Sequence, residues 1–307
     1  MGFEPAYGAP PPAGGFMWAP VMSIDPGITR PVETMDVVGG GREGGYIADG
    51  LLTVAPTVVT PIDDTFIGLW LQLTFGAPVT TPTDGGLFDH VFTSGAPVLP
   101  SGTVEKGSAN LADFRRMHGL RVNTLTLPFN FSAAAQTATL AMVGLSHDRA
   151  DTSVDAGLVA PPDLVPLLGS NGVATRNGAP LANITSGSLT ISNGLETIRA
   201  ANNPGGGIAQ AAPGLLDVTG SLSTRLADKV LPNDAGSGTP IDLALGYIGP
   251  GGVSLMVRVA HARLELADYP ISGRAGIQAS YNLMGRKAAA TNSKVQVTLR
   301  NAKGSYA

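Results

Sequence analysis

An alternating strand pattern that occurs twice constrains this chain more than any other feature. Residues 119–147 read GLRVNTLTLPFNFSAAAQTATLAMVGLSH, and residues 255–286 read LMVRVAHARLELADYPISGRAGIQASYNLMGR. Setting Arg121 and Val122 on Arg258 and Val259 brings Leu127 onto Leu264, Phe129 onto Leu266 and Leu140 onto Ile277. A gap of a few residues then sets Gly144 on Gly285. Each copy reads as two amphipathic strands joined through small residues, so the pattern predicts a duplicated β domain. Such a chain is a building block before it is an enzyme.

Composition narrows the choice further. With 307 residues the chain can bury a sizeable core, and its length suits about two domains. Only 14% of residues are charged, while 41 glycines and 24 prolines favour many short strands and turns over long solvated helices. The absence of cysteine excludes a disulfide scaffold and a thiolate metal site. A net charge of −4, with Arg115-Arg116 as the densest cationic spot, argues against tight counterion-driven binding of nucleic acid. The opening MGFEPAYGAPPPAGGFMWAP lacks the cationic and apolar regions of a signal peptide, and no apolar run reaches the length of a bilayer span. An outer-membrane barrel would add aromatic girdles, which 6% aromatics do not supply.

The expected organisation is an arm over 1–45, a first β domain over 46–148, a linker over 149–180 and a second β domain over 181–307. The arm carries Pro10-Pro11-Pro12 and Gly39-Gly40-Gly41, which favour extended backbone, and GGGREGG at 39–45 reads as a hinge. Phe16, Met17 and Trp18 are apolar groups in that arm, and they predict contact with a neighbouring subunit. Residues 61–75, PIDDTFIGLWLQLTF, form the best helix. Thr60 suits its cap, Pro61 its first position, Asp63 and Asp64 the positive end of its dipole, and Gly76 its end. Ile62, Phe66, Leu69, Trp70 and Leu73 share one stripe of that helix. Shorter helical turns are expected at Leu111–His118, at 224–231 and at Pro162–Leu168. Strands are expected around Ile184 to Ile191, Val218 to Leu222, Val253 to Val259 and Val295 to Leu299, with one apolar face and one face of Ser, Thr, Asn and Arg.

The search for chemistry returns little. His90, His118, His147 and His261 lack the spacing of a zinc site, and His147-Asp148 with Asp151 reads as a polar loop before a cation site. The glycine cluster at 39–45 lacks the Gly-Lys-Ser/Thr of a phosphate loop, and no G-x-S-x-G elbow is present. The sequons at Asn130 and Asn183 carry no weight without a secretory signal. No catalytic, cofactor-binding or metal-binding residue is assigned, and the reading is of a non-enzyme.

The stretch from His90 to Ser146, with HVFTSGAPVLPSGTVEKG and then ADFRRMHGLRVNTLTLPFNFSAAAQTATLAMVG, resembles the tail tube (major tail) proteins of bacteriophages with long, non-contractile tails. So does ITSGSLTISNGLETIRAANNPGGGIAQAAPGLLDVTGSLSTRLAD at 184–228. The shared phrases are a His-x-Phe, a strand ending in Glu-Lys-Gly, a Val-Asn-Thr-Leu strand before a hairpin, and a later Ser-Asn-Gly turn with a Val-Thr-Gly-Ser strand. The resemblance spans about 45 to 300, and residues 1–40 have no counterpart in it. It implies two tandem β-sandwich or half-barrel domains, each with a flanking helix, whose inner sheets join between subunits around a lumen. That arrangement uses sheet edges as subunit contacts.

The implied function is structural: stacked rings forming a tail tube in the virion, assembled in the host cytoplasm and used as a conduit for DNA ejection. The duplication favours homotrimeric, pseudo-sixfold rings, with a homohexamer as the alternative. Implied partners are further copies of the chain, tail terminator, tape measure and distal tail proteins, and phage DNA in transient passage, with no membrane and no cofactor. A lumen of acidic and small polar side chains would let DNA slide. Asp84 to Pro100 and Ala200 to Pro213 are expected to be ring-stacking loops, with Asp84, Leu87, Phe88 and Val91 as the contacts. On that reading, deletion of 84–95 leaves a folded ring that no longer polymerises. The rival readings are a capsid decoration protein and a surface or carbohydrate-binding β-sandwich.

Overall fold

A computed structural model describes the chain except residues 37, 40, 41, 43, 44, 132–134, 159–163, 182, 202–205, 270–275 and 307. It is mainly β. The first half carries β1 (Gly2–Phe3), β2 (Ser23–Asp25), β3 (Ile28–Thr29), β4 (Val32–Met35), β5 (Tyr46–Asp49), β6 (Thr53–Val54) and β7 (Thr57–Pro61). Helix α1 (Ile67–Phe75) follows, then β8 (Val79–Pro82), β9 (Phe88–Thr93), β10 (Gly102–Ser108), β11 (Asp113–Asn130), β12 (Thr137–Val143) and β13 (Ser146–Ala150). The second half carries β14 (Gly172–Arg176), β15 (Ala179–Pro180), β16 (Ile184–Ser192), β17 (Glu196–Ile198), β18 (Gln210–Ala212) and β19 (Asp217–Arg225). Helix α2 (Val230–Ser237) precedes β20 (Ile241–Ile248), β21 (Ser254–Leu264), β22 (Gln278–Gly285) and β23 (Gln296–Asn301).

The pairings of the first half recur in the second, residue for residue. Ile24 faces Val58 as Gly187 faces Leu222, and Ile28 faces Val54 as Ile191 faces Val218. Strand β16 is continuous, whereas its counterpart is split into β2 and β3 at Pro26, opposite Pro56, because proline has no N–H for a ladder. The hairpins match too: Glu33–Ala48, Thr34–Ile47 and Met35–Tyr46 correspond to Glu196–Ala212, Thr197–Ala211 and Ile198–Gln210. Leu140 lies opposite Val58 and Tyr281 opposite Leu222. Even the bulge repeats, since register shifts between the pairs Gly102–Leu120 and Val104–Met117 as it does between Ile241–Ala262 and Leu243–Val259. Arg121–Val143 then matches Arg263–Met284, and Phe114–Ala150 matches Met256–Thr298.

This register corrects the sequence alignment. Arg121 corresponds to Arg263 and not to Arg258, Val122 to Leu264, and Leu140 to Tyr281 and not to Ile277. Gly144 does fall on Gly285. Both are buried, and both are glycine because another strand approaches closely. A Cβ on Gly144 would lie 2.9 Å from Val54 Cγ1, and one on Gly285 3.0 Å from the matching Val218 Cβ.

The long strands β11 and β21 each pass from one sheet to the other. The first part of β11 pairs with β10 and β13, and the first part of β21 with β20 and β23. Their later parts join an antiparallel run of eight strands in the order β2, β7, β12, β11, β16, β19, β22, β21. The two halves meet in this sheet, where Thr124–Asn130 pairs with Ser186–Ser192. One face of the sheet holds the core, with Leu125, Leu127, Phe129, Leu189, Leu222 and Tyr281 buried. Helix α1 is buried along nearly its whole length.

Several local expectations change. Helix α1 begins at Ile67, because Thr60 and Pro61 stay in β7 and the carboxylate of Asp63 accepts from the N–H groups of Phe66 (3.0 Å) and Ile67 (2.6 Å). Gly76 ends it as expected, at φ 96°. Residues 113–118 are strand β11 and not helix, and 217–225 is strand, with α2 starting at Val230. Leu164–Leu168 holds isolated bridges in place of a helical turn, and the start of that predicted turn lies outside the described residues. Much of the 39–45 hinge and Ser132 of the first sequon lie outside them too. Residues 1–45 are not a loose arm. Strand β1 pairs with β10, β2 and β3 pair with β7 and β6, and β4 forms a hairpin with β5 across the expected boundary at 45. The expected linker contains β14, which pairs with β20.

Candidate functional site

The other face of the eight-strand sheet is coated with hydroxyls. Alternation sends Leu125, Leu127, Leu189 and Ile191 into the core and their neighbours outward. Thr139, Thr126, Thr190 and Thr219 thus lie side by side across β12, β11, β16 and β19. Hydroxyl pairs bridge the strands at 3.2 Å between Thr126 and Thr190, 3.0 Å between Ser188 and Ser221, and 3.3 Å between Ser223 and Ser280. Strands β7, β12, β16 and the Thr124–Asn130 stretch of β11 contain no charged residue. Charge enters at the margins, with Asp25 on β2, Asp217 and Arg225 at the ends of β19, and Arg263 on β21. Such a face presents donors and acceptors to water and no array of cations to hold a polyanion.

The sheet ends in two unpaired edges among the described residues. At one edge β2 pairs only with β7, and β3 only with β6. At the other, β21 stops at Leu264, and Leu266 beyond it is 78% exposed. An unpaired sheet edge is a template for another strand. The matching positions inside the chain are closed, because β11 and β16 pair with each other there.

That internal junction is reinforced by side chains. Asn193 Nδ2 donates to the carbonyls of Thr74 (3.1 Å) and Val122 (2.9 Å). Arg121, 7% exposed, donates to Ala211 O at 2.6 Å from the β17–β18 hairpin and lies 3.9 Å over the Tyr7 ring. On the second sheet β9 pairs with β23, and Arg300 grips Asp89 through two bonds of 2.6 and 2.7 Å, which holds the Asp89 carboxyl below its usual range. His90 is buried between Thr80, Asn301 and the carbonyl of Lys303, with Tyr306 against its edge.

The residues singled out from sequence fall in different settings. Phe88 and Val91 are strand residues of β9, half-buried between β8 and β23 and not in a loop. Asp84 is exposed at the tip of the β8–β9 hairpin, with Leu87 half-buried at its base. Deleting 84–95 would therefore strip a strand from the second sheet. Residues 210–212 are likewise strand β18, and part of the other expected loop lies outside the described residues. Phe16 is buried in its own chain, Met17 N donates to Met1 O at 2.7 Å, and only Trp18 of the three is exposed. Sequence reasoning missed the open edges and the repeated hairpins. The signal was present, since ETM and GLLTV in the first half return as ETI and GLLDV in the second.

Two matched half-sheets, a hydroxyl face and an edge at each end are the features the fold presents. Among the described residues no cluster of side chains could hold a metal ion, and no helix is long and apolar enough to cross a membrane. The chain belongs to the phage tail tube protein family, which it matches over residues 1–285, so the match includes residues 1–40, where the sequence reading expected no counterpart. No curated protein matches it. The family is a structural one and places the chain in the virion tail.

Proposed function

We propose that the chain polymerises into stacked rings of three subunits that form the tail tube, the conduit through which phage DNA leaves the virion. The observation that carries this reading is the repeated register. Each half supplies four strands of one sheet, and the junction between β11 and β16 shows how one half follows another. Head-to-tail repetition of that junction closes a ring. Three copies bring twenty-four strands, a circumference of about 115 Å at about 4.8 Å per strand, or a diameter of about 37 Å before tilt widens it. A barrel of that size holds an open bore. The hydroxyl face would line it and let a duplex slide without displacing counterions.

The tandem duplication belongs to the same proposal, with one unit ending near β13 and the next beginning near β14. The exposed tip around Asp84, with Leu87 beside it, and the exposed Trp18 remain the proposed contacts between rings. Tail terminator, tape measure and distal tail proteins would meet the ends and bore of the tube. Electron microscopy of the purified protein, with mass per layer, tests the reading. Tubes with three chains per layer support it; six chains per layer would keep the tube and remove the trimer. A monomer that never assembles would remove both.

A further inference from the structure

Beside α2 lies an open groove of about 540 Å³ lined by Gly236, Gly238, Arg263, Leu264, Leu266 and Met284. Its counterpart in the first half is full. Counting onward from Thr60 and Thr224, whose hydroxyls donate to the matching carbonyls of Pro20 and Asn183, Thr74 corresponds to Gly238, and by the shared ladder Val122 corresponds to Leu264; the carbonyls of Thr74 and Val122 are both bound by Asn193 of the second half. Arg121 corresponds to Arg263. Arg121 is buried under Tyr7 and bonded to Ala211 of the β17–β18 hairpin, whereas Arg263 is exposed, with its guanidinium lying over Gly238. Leu125, buried at the internal junction, corresponds to Ala267, which is half-buried. Ile191, buried there, corresponds to Ile28, also half-buried. The hairpin that corresponds to β17–β18 is β4–β5, where Val32, Met35, Tyr46 and Ile47 are each more than 60% exposed. Groove, cation, edge and apolar hairpin are thus the unfilled versions of features that are filled within the chain.

We propose that this groove and the edge beyond Leu264 receive residues 26–35 and the β4–β5 hairpin of a second copy of the chain, in a defined register. Carrying the pairs Thr124–Ser192 and Leu125–Ile191 across the repeat sets Leu266 opposite Thr29 and Ala267 opposite Ile28 of the second copy. Arg30 of that copy takes the place of Asn193 and donates to the carbonyls of Gly238 and Leu264. Arg263 donates to the carbonyl of Ile47, the counterpart of Ala211. The strand that ends at Leu264 in the isolated chain extends through Leu266 and Ala267 once this partner edge is present. Side chains of Leu266 and Thr29 fall on the hydroxyl face, and those of Ala267 and Ile28 on the core face.

The inference rests on the tube reading above but can fail separately from it. The chain has no cysteine, so engineered thiols report contacts without background. Opposed residues in an antiparallel pair have Cβ atoms about 4.5–5.5 Å apart, close to disulfide geometry. Mixing Leu266→Cys with Thr29→Cys chains under mild oxidation is expected to give a covalent dimer, and the double variant a closed covalent trimer on a non-reducing gel. Leu266→Cys mixed with Asp25→Cys, out of register on the same face, is expected to give none. Arg263→Ala is expected to raise the concentration needed for assembly at least tenfold while leaving the melting temperature of the unassembled chain unchanged. Tubes seen by microscopy without the Leu266–Thr29 crosslink, or with the Asp25 crosslink, would overturn the register and leave the tube. Absence of both tubes and crosslinks, with a monomeric mass, would overturn both.

Discussion

The two halves share the ladders of the eight-strand sheet but not the way they fill them. In the first half α1 is an apolar rod, with Ile67, Trp70, Leu71 and Leu73 buried. In the second half α2 sets Leu231, Asp234 and Ala235 at the positions of Ile67, Trp70 and Leu71, and Arg176 Nε holds the mostly buried Asp234 at 2.5 Å. The first half also inserts the β8–β9 hairpin, which has no counterpart and docks on β23 of the second. Backbone pairing therefore fixes the architecture, and side chains vary wherever an alternative fills the same space or satisfies the same charge.

The helices give the largest contrast to test. Trp70→Ala leaves a large cavity in the core and is expected to cost about 3–5 kcal/mol, read from denaturant unfolding. Arg176→Ala leaves Asp234 mostly buried without its cation, at a cost of about 2–3 kcal/mol once partial exposure of the arginine is counted. If the arginine variant proves the more harmful, the second half depends on its ion pair more than the first depends on its core.

The helix caps differ in burial, and the cap of α1 responds to pH. Asp63 is buried, and burial pushes its carboxyl up to about 6 from an ordinary value of 3.8, against the pull of the Phe66 and Ile67 N–H groups. At the start of α2 the exposed Asp228 carboxylate accepts from Val230 N at 2.9 Å. Because the folded chain binds the Asp63 proton more tightly than the unfolded chain, stability from this group falls as pH rises from about 4 through 6. The fall is on the order of 2 kcal/mol. Asp63→Asn is expected to flatten stability over that window; melting temperatures measured from pH 4 to 7 decide it.

These contrasts also mark what the sequence could say. Alternation and composition conveyed a mainly β chain, and the phrases from His90 onward carried the family. The alignment slipped because two amphipathic strands satisfy several registers equally, and only the shared bulge and the Gly144 and Gly285 approaches single one out. Residues 88–93 read as a loop because Gly85, Gly86, Gly95 and Pro97 crowd a short strand, whose partner β23 lies far along the chain. The expected arm is strand for a similar reason, since Pro26 and Pro56 interrupt a ladder that tertiary pairing nonetheless maintains. The hydroxyl face was legible as Ser and Thr alternation, but the edges that give it a use appear only when the strands are in order.

The paired glycines test the register at smaller amplitude. An added methyl at Gly144 would press on Leu120 Cδ2 at 2.8 Å and Val54 Cγ1 at 2.9 Å, and one at Gly285 on Val218 Cβ and Val259 Cγ1 at 3.0 Å. Both alanine variants are expected to destabilise by about 1–3 kcal/mol, with Gly144→Ala the worse. A neutral result at either position would mean that the strands there part easily, and the equivalence of the halves would weaken at that point.

The arginines give the smallest effect and the sharpest comparison. Arg121 is buried at a junction that the chain closes on itself, so Arg121→Ala removes a hydrogen bond to Ala211 and a cation over Tyr7. The expected cost is about 1–2 kcal/mol in the unassembled chain. Arg263 occupies the same register position at an edge with no such cover, and Arg263→Ala is expected to change unassembled stability by less than about 0.5 kcal/mol. Urea unfolding of both variants at a concentration below assembly separates the cases. Equal losses would mean that Arg263 is already engaged within its own chain, which would leave the open groove without the cation that its filled counterpart relies on.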